Sequence, residues 1–129
     1  MLAECRTLGS CATGDAKITL GYRLSARYVI HTVGPIWHGG GAGEDAALGA
    51  CYRRSLQLCE VNRLATVAFP AISTGVYGFP AERAADIAIG KVIEMLPEAP
   101  GVTAVTFCCF SESSAELHLR ALADLAPLA

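Results

Sequence analysis

The feature that most constrains the fold is a strand, a loop and a helix in direct succession between residues 66 and 96. A short apolar run at residues 66–69 has the length and composition of a buried strand. A segment rich in Gly, Ser and Pro follows it. Apolar residues then recur every three or four positions from residue 81 to 96, as in an amphipathic helix. This order is typical of α/β proteins, in which helices connect parallel strands.

The loop between this strand and helix has the features of an anion site. Gly75 and Gly78 can adopt positive φ angles, so the backbone N–H groups of residues 73–77 could converge on one anion. Pro80 suits the first position of the helix, whose positive dipole end would strengthen the attraction. A structural turn that merely needs its glycines explains the same residues, and the sequence alone leaves both readings open.

Strand and helix patterns alternate along the rest of the chain. The other predicted elements are strands at residues 16–20, 28–33 and 102–110 and helices at residues 2–8, 45–59 and 113–125. The strand at 16–20 carries Lys17 outward as an edge strand would, whereas 28–33 reads as an interior parallel strand. Asn62 and a capping box at Ser113 mark helix ends. We predict one domain, residues 1–129, with a three-layer α/β/α fold, a mostly parallel sheet and a short edge strand.

Composition excludes several classes of partner and site. Ten basic and twelve acidic residues give a net charge of −2, which provides no electrostatic footprint for duplex nucleic acid or an anionic membrane. No secretory leader or membrane span is evident, so we expect a cytoplasmic protein. The six cysteines fall within apolar patterns and are expected to be reduced and buried. Their spacing with the three histidines predicts neither a metal site nor a bound cofactor.

Two further features suggest alternative functions. Residues 41–46 formally match the G-x-G-x-x-A fingerprint of dinucleotide-binding folds, but they do not directly follow a strand, and a mobile loop is the better interpretation.

His31, within the strand at 28–33, could act as a catalytic base. A histidine in a buried strand is more often a hydrogen-bonded core residue.

Four segments together resemble the macrodomain family, in its branch of ADP-ribosyl-hydrolase-like members. They are CATGDAKIT at 11–19, YVIHTVGPIW at 28–37, AFPAISTGVYGFP at 68–80 and VTFCCFS at 105–111. The resemblance implies an ADP-ribose site in a crevice at the strand ends. It implies that the diphosphate is bound by Ser73, Thr74, Gly75, Val76 and Tyr77, and that Phe110 lies beside the nucleotide.

The sequence also departs from the family pattern. Family members carry, ahead of the part seen here, two strands, an acidic residue that recognises adenine, an Asn-Ala-Ala-Asn segment and a glycine-rich loop with a catalytic Asp. Because these are absent from the sequence, we expect an N-terminally truncated macrodomain fold with no complete catalytic set. Carboxylates are offered by Asp15, Asp45, Glu82 and Asp86. Those of Glu82 and Asp86 lie in the predicted helix beyond the loop and are better explained as part of a solvated face.

The expected truncation bears on assembly as well as on activity. One of the strands expected to be missing would lie between residues 28–33 and 66–69, so these strands either close on each other or are covered by a second copy, and we expect a homodimer. The leading functional hypothesis is an ADP-ribose-binding module related to mono-ADP-ribosyl-protein and O-acetyl-ADP-ribose hydrolases, with activity weakened or lost. The alternatives are a non-catalytic oligomeric interaction protein and, from residues 41–46 alone, a nucleotide-dependent oxidoreductase.

Overall fold

The computed structural model describes residues 11–125 and has a mixed α/β fold. Its elements are β1 (Ala16–Leu20), β2 (Tyr28–Thr32), α1 (Glu44–Val61), β3 (Thr66–Pro70), α2 (Ala81–Met95), a 3₁₀ turn (Leu96–Glu98), β4 (Ala104–Cys108) and α3 (Glu112–Leu125). Every element predicted within this range is present, and the ends differ from the prediction by only a few residues. The helix predicted at residues 2–8, and Cys5 within it, lie outside the described residues. Cys51 and Cys59 are buried as predicted, but Cys108 is exposed because its side chain is on the uncovered face of β4.

The four strands form two separate pairs. β1 runs antiparallel to β2, with Ala16 opposite Thr32, and β3 runs parallel to β4, with Thr66 opposite Ala104. The prediction that residues 28–33 form an interior parallel strand is therefore wrong in direction. Only seven residues separate β1 from β2, which suffices for a hairpin but not for the crossover that a parallel pair requires.

β2 and β3 do not pair, and a cavity of about 880 Å³ lies between them. Direct closure of the two strands, one of the two arrangements predicted from sequence, is thus wrong. Both strands are held by α1, which packs against β2 and places Tyr52 against Phe69 of β3, with ring centroids 5.0 Å apart. Within residues 11–125, the edges by which β2 and β3 face each other have no strand partner.

The core lies between the helices and one face of the β3–β4 pair. The stripe predicted for α1 (Leu48, Cys51, Tyr52, Ser55, Leu56, Cys59) is fully buried. Tyr52 meets the rings of Phe69 and Phe107 there. Alternate residues on the opposite face of the pair are exposed: Thr66, Ala68, Pro70, Ala104, Thr106 and Cys108. Residues 11–125 therefore place their helices on one face of β3–β4 and contribute no second layer there.

Helix ends refine the sequence predictions by one or two positions. Pro80 is the residue before α2 rather than its first residue, and it has φ −57° and ψ 127°. At α3 the hydroxyl of Ser111, not Ser113, accepts a bond from the Ser114 N–H at 3.1 Å. Asn62 ends α1 as predicted, and its side-chain amide donates to the Leu58 carbonyl at 2.8 Å. No helix within the described range is long and apolar enough to cross a bilayer.

Candidate functional site

The candidate phosphate loop, residues 73–77, lies between the carboxyl end of β3 and the amino end of α2. Two backbone bonds close it: the Phe79 N–H donates to the Ser73 carbonyl at 2.9 Å, and the Gly78 N–H to the Gly75 carbonyl at 3.0 Å. Gly78 has φ 75° as expected, but the second positive φ belongs to Ser73, at 67°, and not to Gly75. A serine in this region is strained, which is common at binding sites.

The backbone donors of this loop are available for a ligand. Among the described residues, none of the N–H groups from 73 to 77 donates to a protein acceptor. Gly75 and Val76 are exposed, and Tyr77 is partly so. Backbone amides almost always find a partner in water, protein or ligand, and a run of free amides is the usual backbone recognition element for phosphate. The amino end of α2 adds its positive dipole end from the other side of the loop.

Ser73 contributes a second donor that the sequence did not single out. Its hydroxyl oxygen is buried and has no hydrogen-bond partner among the described residues. Ser73 lies close to Gly34. A Cβ at position 34 would be 2.2 Å from the Ser73 hydroxyl oxygen, so only glycine fits there. A buried polar atom left without a partner is uncommon, and a ligand oxygen would satisfy it.

The loop borders three cavities. Ser73 and Tyr77 line the cavity of about 880 Å³ between β2 and β3, a volume within the general range of small-molecule pockets. Thr74 lines a smaller one of about 180 Å³ with Ser111 and His118. A third, of about 300 Å³, separates Tyr77 from Glu44 and its neighbours. The candidate phosphate loop therefore lies where these cavities meet.

Phe110 lies at the same edge of the sheet. It follows β4 closely, and β3 and β4 are parallel, so their carboxyl ends share one edge. Its ring is 87 % exposed, and the side chain of Val76 is fully exposed. Exposed apolar groups beside a cluster of free backbone donors are suited to stack on or cover a nucleobase or sugar.

A second loop, residues 34–43, packs against the phosphate loop, and we call it the supporting loop. The Trp37 N–H donates to the Tyr77 carbonyl at 2.9 Å, and the indole packs on Phe79 with ring centroids 4.8 Å apart. Arg83 lies over the indole at 5.2 Å and is ion-paired with Asp45, which raises the pKa of the guanidinium. The supporting loop is thus fixed to both sides of the phosphate loop.

Glu44 explains why the glycines of the supporting loop adopt a defined conformation. One carboxylate oxygen accepts bonds from the His38 and Gly40 N–H groups at 2.8 and 2.9 Å, and the other from Ala42 at 2.6 Å. The bonds from Gly40 and His38 lower the pKa of the carboxyl to about 2. Residues 44–46, which the sequence placed in a loop, begin α1 instead, and the glycines before them bend the backbone around a buried carboxylate.

Several other titratable groups in the described part of the chain have structural partners. His31 Nε2 lies 2.9 Å from the hydroxyl of the buried Thr19, in agreement with a hydrogen-bonded structural role. Asp15 pairs with Arg54, and a bond from the Ala16 N–H is the main cause of its lowered pKa. No carboxylate from the described part of the chain lines the cavity between β2 and β3. Nor do these residues contain a group of three side chains that could hold a metal ion.

Comparisons with known proteins decide the family. The family model for the Macro domain matches residues 1–88. The chain belongs to this family. A macro domain-containing protein of Chlorobaculum tepidum is 55 % identical over 123 residues, which are 95 % of this chain and 72 % of that protein. The mouse ADP-ribose glycohydrolase MACROD2 is 48 % identical over 132 residues, but the match spans only 27 % of its length.

Solved structures agree with the assignment. The Oceanobacillus iheyensis macrodomain with ADP superposes on this macrodomain with a TM-score of 0.88 at 38 % identity, covering 98 % of this chain and 66 % of that one. The Trypanosoma brucei macrodomain in complex with ADP-ribose gives a TM-score of 0.85, also at 38 % identity, over 94 % and 50 % of the two chains. The mixed α/β fold is thus a macrodomain fold.

Proposed function

We propose that this macrodomain binds ADP-ribose, or a related nucleoside diphosphate, through residues 73–77. The observation that carries the proposal is the run of backbone N–H groups at residues 73–77, none of which donates to an acceptor within residues 11–125, beside the buried Ser73 hydroxyl, which has no partner in that range either. A diphosphate supplies several oxygens within a few ångströms of one another, so it would satisfy both features together. Macrodomain relatives observed with ADP and with ADP-ribose support the choice of ligand.

The two parts of the proposed ligand would contact different parts of the site. The diphosphate would lie on the amides of residues 73–77, at the amino end of α2. The exposed ring of Phe110 would then contact the nucleoside portion from the neighbouring strand end. The dinucleotide-dependent oxidoreductase has little support, because the residues that suggested it, 41–46, surround the carboxylate of Glu44 instead of an open phosphate site.

Titration calorimetry with ADP-ribose, NAD and ATP tests the proposal. We expect ADP-ribose to bind more tightly than the other two nucleotides. Gly75→Glu is expected to abolish binding because it places a carboxylate where the phosphates must lie. Gly75→Ala is the matched control for folding: a Cβ at this position meets no protein atom within 4 Å, so the variant should fold normally and lacks the added charge. If Gly75→Glu binds ADP-ribose as tightly as the parent, the site assignment is wrong.

We propose further that hydrolysis of ADP-ribosyl bonds by this chain is weak or absent. Cleavage at the anomeric carbon requires a positioned water and a group that orients or deprotonates it. Three carboxylates near the site have other partners: Glu44 accepts three backbone amides, Asp45 pairs with Arg83, and the exposed Glu82 lies 3.9 Å from Arg120. Release of ADP-ribose from a mono-ADP-ribosylated protein at about 1 s⁻¹ or faster, within the ordinary range of enzymes, would contradict this proposal.

Association with a second copy is also part of the proposal. The open edges of β2 and β3 border a large, mainly apolar cavity, and unpaired strand edges favour pairing with another chain. Sedimentation velocity at increasing concentration is expected to show a dimer, whereas a monomer at high concentration would contradict it. A dimer without any nucleotide binding would instead favour the alternative, a non-catalytic interaction protein.

We also propose that the protein is located in the cytoplasm, which cell fractionation tests.

A further inference from the structure

We infer that Glu44 is a positioning residue for the proposed phosphate loop, and that it acts by holding the supporting loop in the shape that fixes Tyr77. The inference rests on the proposed function for its ligand readout only. It concerns a carboxylate that accepts its hydrogen bonds from the supporting loop and not from residues 73–77. The role was not evident from the sequence, because each of the helices α1, α2 and α3 has an acidic residue in its first turn and Glu44 does not stand out among them.

The first step is the contact between Glu44 and the supporting loop. The side chain is buried, with 2 % of its surface exposed, although it is the first residue of a helix. Its two oxygens accept the N–H groups of His38, Gly40 and Ala42, three alternate residues of the loop. Gly39 and Gly40 have φ angles near 95°, which turn these amides inward. The carboxylate thus occupies an anion-binding nest made by the chain itself.

The second step is the contact between the two loops. Trp37 directly precedes the nest, donates its N–H to the Tyr77 carbonyl and packs its ring on Phe79. Gly40 also packs closely against Trp37: a Cβ at position 40 would lie 2.9 Å from the indole ring. A displacement of the nest therefore moves Trp37, and with it the carbonyl end of the phosphate loop.

The third step explains why the charge matters. Three N–H donors point at two oxygens, and an ionised carboxylate accepts all of them. A glutamine at position 44 has one oxygen and one NH₂ group, so at least one loop N–H would face another donor. Glu44→Gln keeps the size of the side chain and removes this match, which makes it a sharper test than truncation.

The experiment compares the parent protein with Glu44→Gln and the control Glu60→Gln. Glu60 lies near the other end of α1 and also accepts a loop amide, that of Gly101 at 3.1 Å, but it contacts neither loop of the site. Three quantities are measured: the emission maximum of Trp37, which is the only tryptophan, the amide exchange rates of Gly78 and Phe79, and the Kd for ADP-ribose.

For Glu44→Gln we expect a red-shifted Trp37 emission, faster exchange at Gly78 and Phe79, and a Kd raised about tenfold or more, the effect of losing a charge-assisted bond. Glu60→Gln should leave all three unchanged. Unchanged exchange at Gly78 and Phe79 in Glu44→Gln would overturn the inference, as would an unchanged Kd. If the parent does not bind ADP-ribose, the proposed function fails, while the emission and exchange measurements still decide the role of Glu44.

Glu44→Ala gives an independent test through chemical rescue. Truncation leaves three inward-facing N–H groups around a space that once held a carboxylate. Added sodium acetate is expected to return the Trp37 emission and the exchange rates of Gly78 and Phe79 toward the parent values, whereas sodium chloride at equal ionic strength should not. If acetate has no effect on a folded Glu44→Ala protein, the anion is not the organising element and the inference is wrong.

Discussion

Ser73 combines a positive φ, a buried hydroxyl and contact with Gly34, and none of these properties is encoded in residues next to it. The sequence identified the loop through its glycines, but it assigned the second left-handed position to Gly75. Glycine is only the residue that adopts this conformation most easily, and tertiary contacts can impose it on a serine. The role of Glu44 was missed for a related reason, since its three partners are loop amides that carry no sequence signal.

At this scale we predict different effects for two serines whose hydroxyl groups are buried. Ser73→Ala removes a hydroxyl that has no partner within residues 11–125. It should leave the free energy of unfolding unchanged or raise it by up to about 1 kcal/mol, while weakening ADP-ribose binding. Ser55→Ala removes a hydroxyl that donates to the Cys51 carbonyl at 2.7 Å and should lower the free energy of unfolding by about 1 kcal/mol. Urea denaturation and calorimetry measure the two quantities. A marked loss of stability in Ser73→Ala would show that its hydroxyl has a protein or water partner.

Helices and strands were the most predictable level of the structure. The apolar stripes of α1 and α2 repeat over several turns, so their type and buried faces could be read directly. Helix starts were less predictable, because a segment such as Ser111-Glu-Ser-Ser114 offers several capping hydroxyls and only the three-dimensional path of the chain selects one. The direction of β2 was predicted wrongly, because an apolar composition indicates that a strand is shielded from solvent but does not determine whether it pairs parallel or antiparallel.

The two candidate caps of α3 provide a direct test. Ser111→Ala should lower the free energy of unfolding by about 1 kcal/mol, because the Ser114 N–H loses its acceptor at the start of the helix. Ser113→Ala should change it by less than about 0.5 kcal/mol, as expected for an exposed position. Guanidinium denaturation of both variants is the measurement. The reverse order would place the cap at Ser113, as the sequence first suggested.

For the molecule as a whole, the sequence predicted the family and the mixed α/β class but not how the sheet is arranged. Local patterns determine strands and helices, whereas the spacing of β2 and β3 depends on how α1 packs against both. The cavity between them therefore had no local signal. The packing of helices on only one face of β3–β4 within residues 11–125 was likewise visible only from the alternation of exposed residues in the folded protein.

The acid dependence of global stability should depend on Glu44. Its pKa is lowered from 4.5 to about 2 in the folded protein, so the folded state holds the ionised form more strongly than the unfolded state does. The resulting stabilisation is fully present above pH 4.5 and is lost as the pH falls toward 2. We expect Glu44→Gln to show a smaller loss of thermal stability between pH 5 and pH 3 than the parent. Parallel pH profiles for the two proteins would contradict this assignment.

The absence of hydrogen bonds between β2 and β3 has a consequence for how the chain folds. β1 and β2 form a hairpin from adjacent segments, and β3, α2 and β4 form a contiguous crossover unit, so neither ladder requires a strand from the other half. Pairing of neighbouring segments involves short loop closures and is kinetically favoured. We therefore expect pulse-labelling to resolve two groups of amides, residues 16–32 and residues 66–108, that become protected at different times and meet only when α1 docks between them.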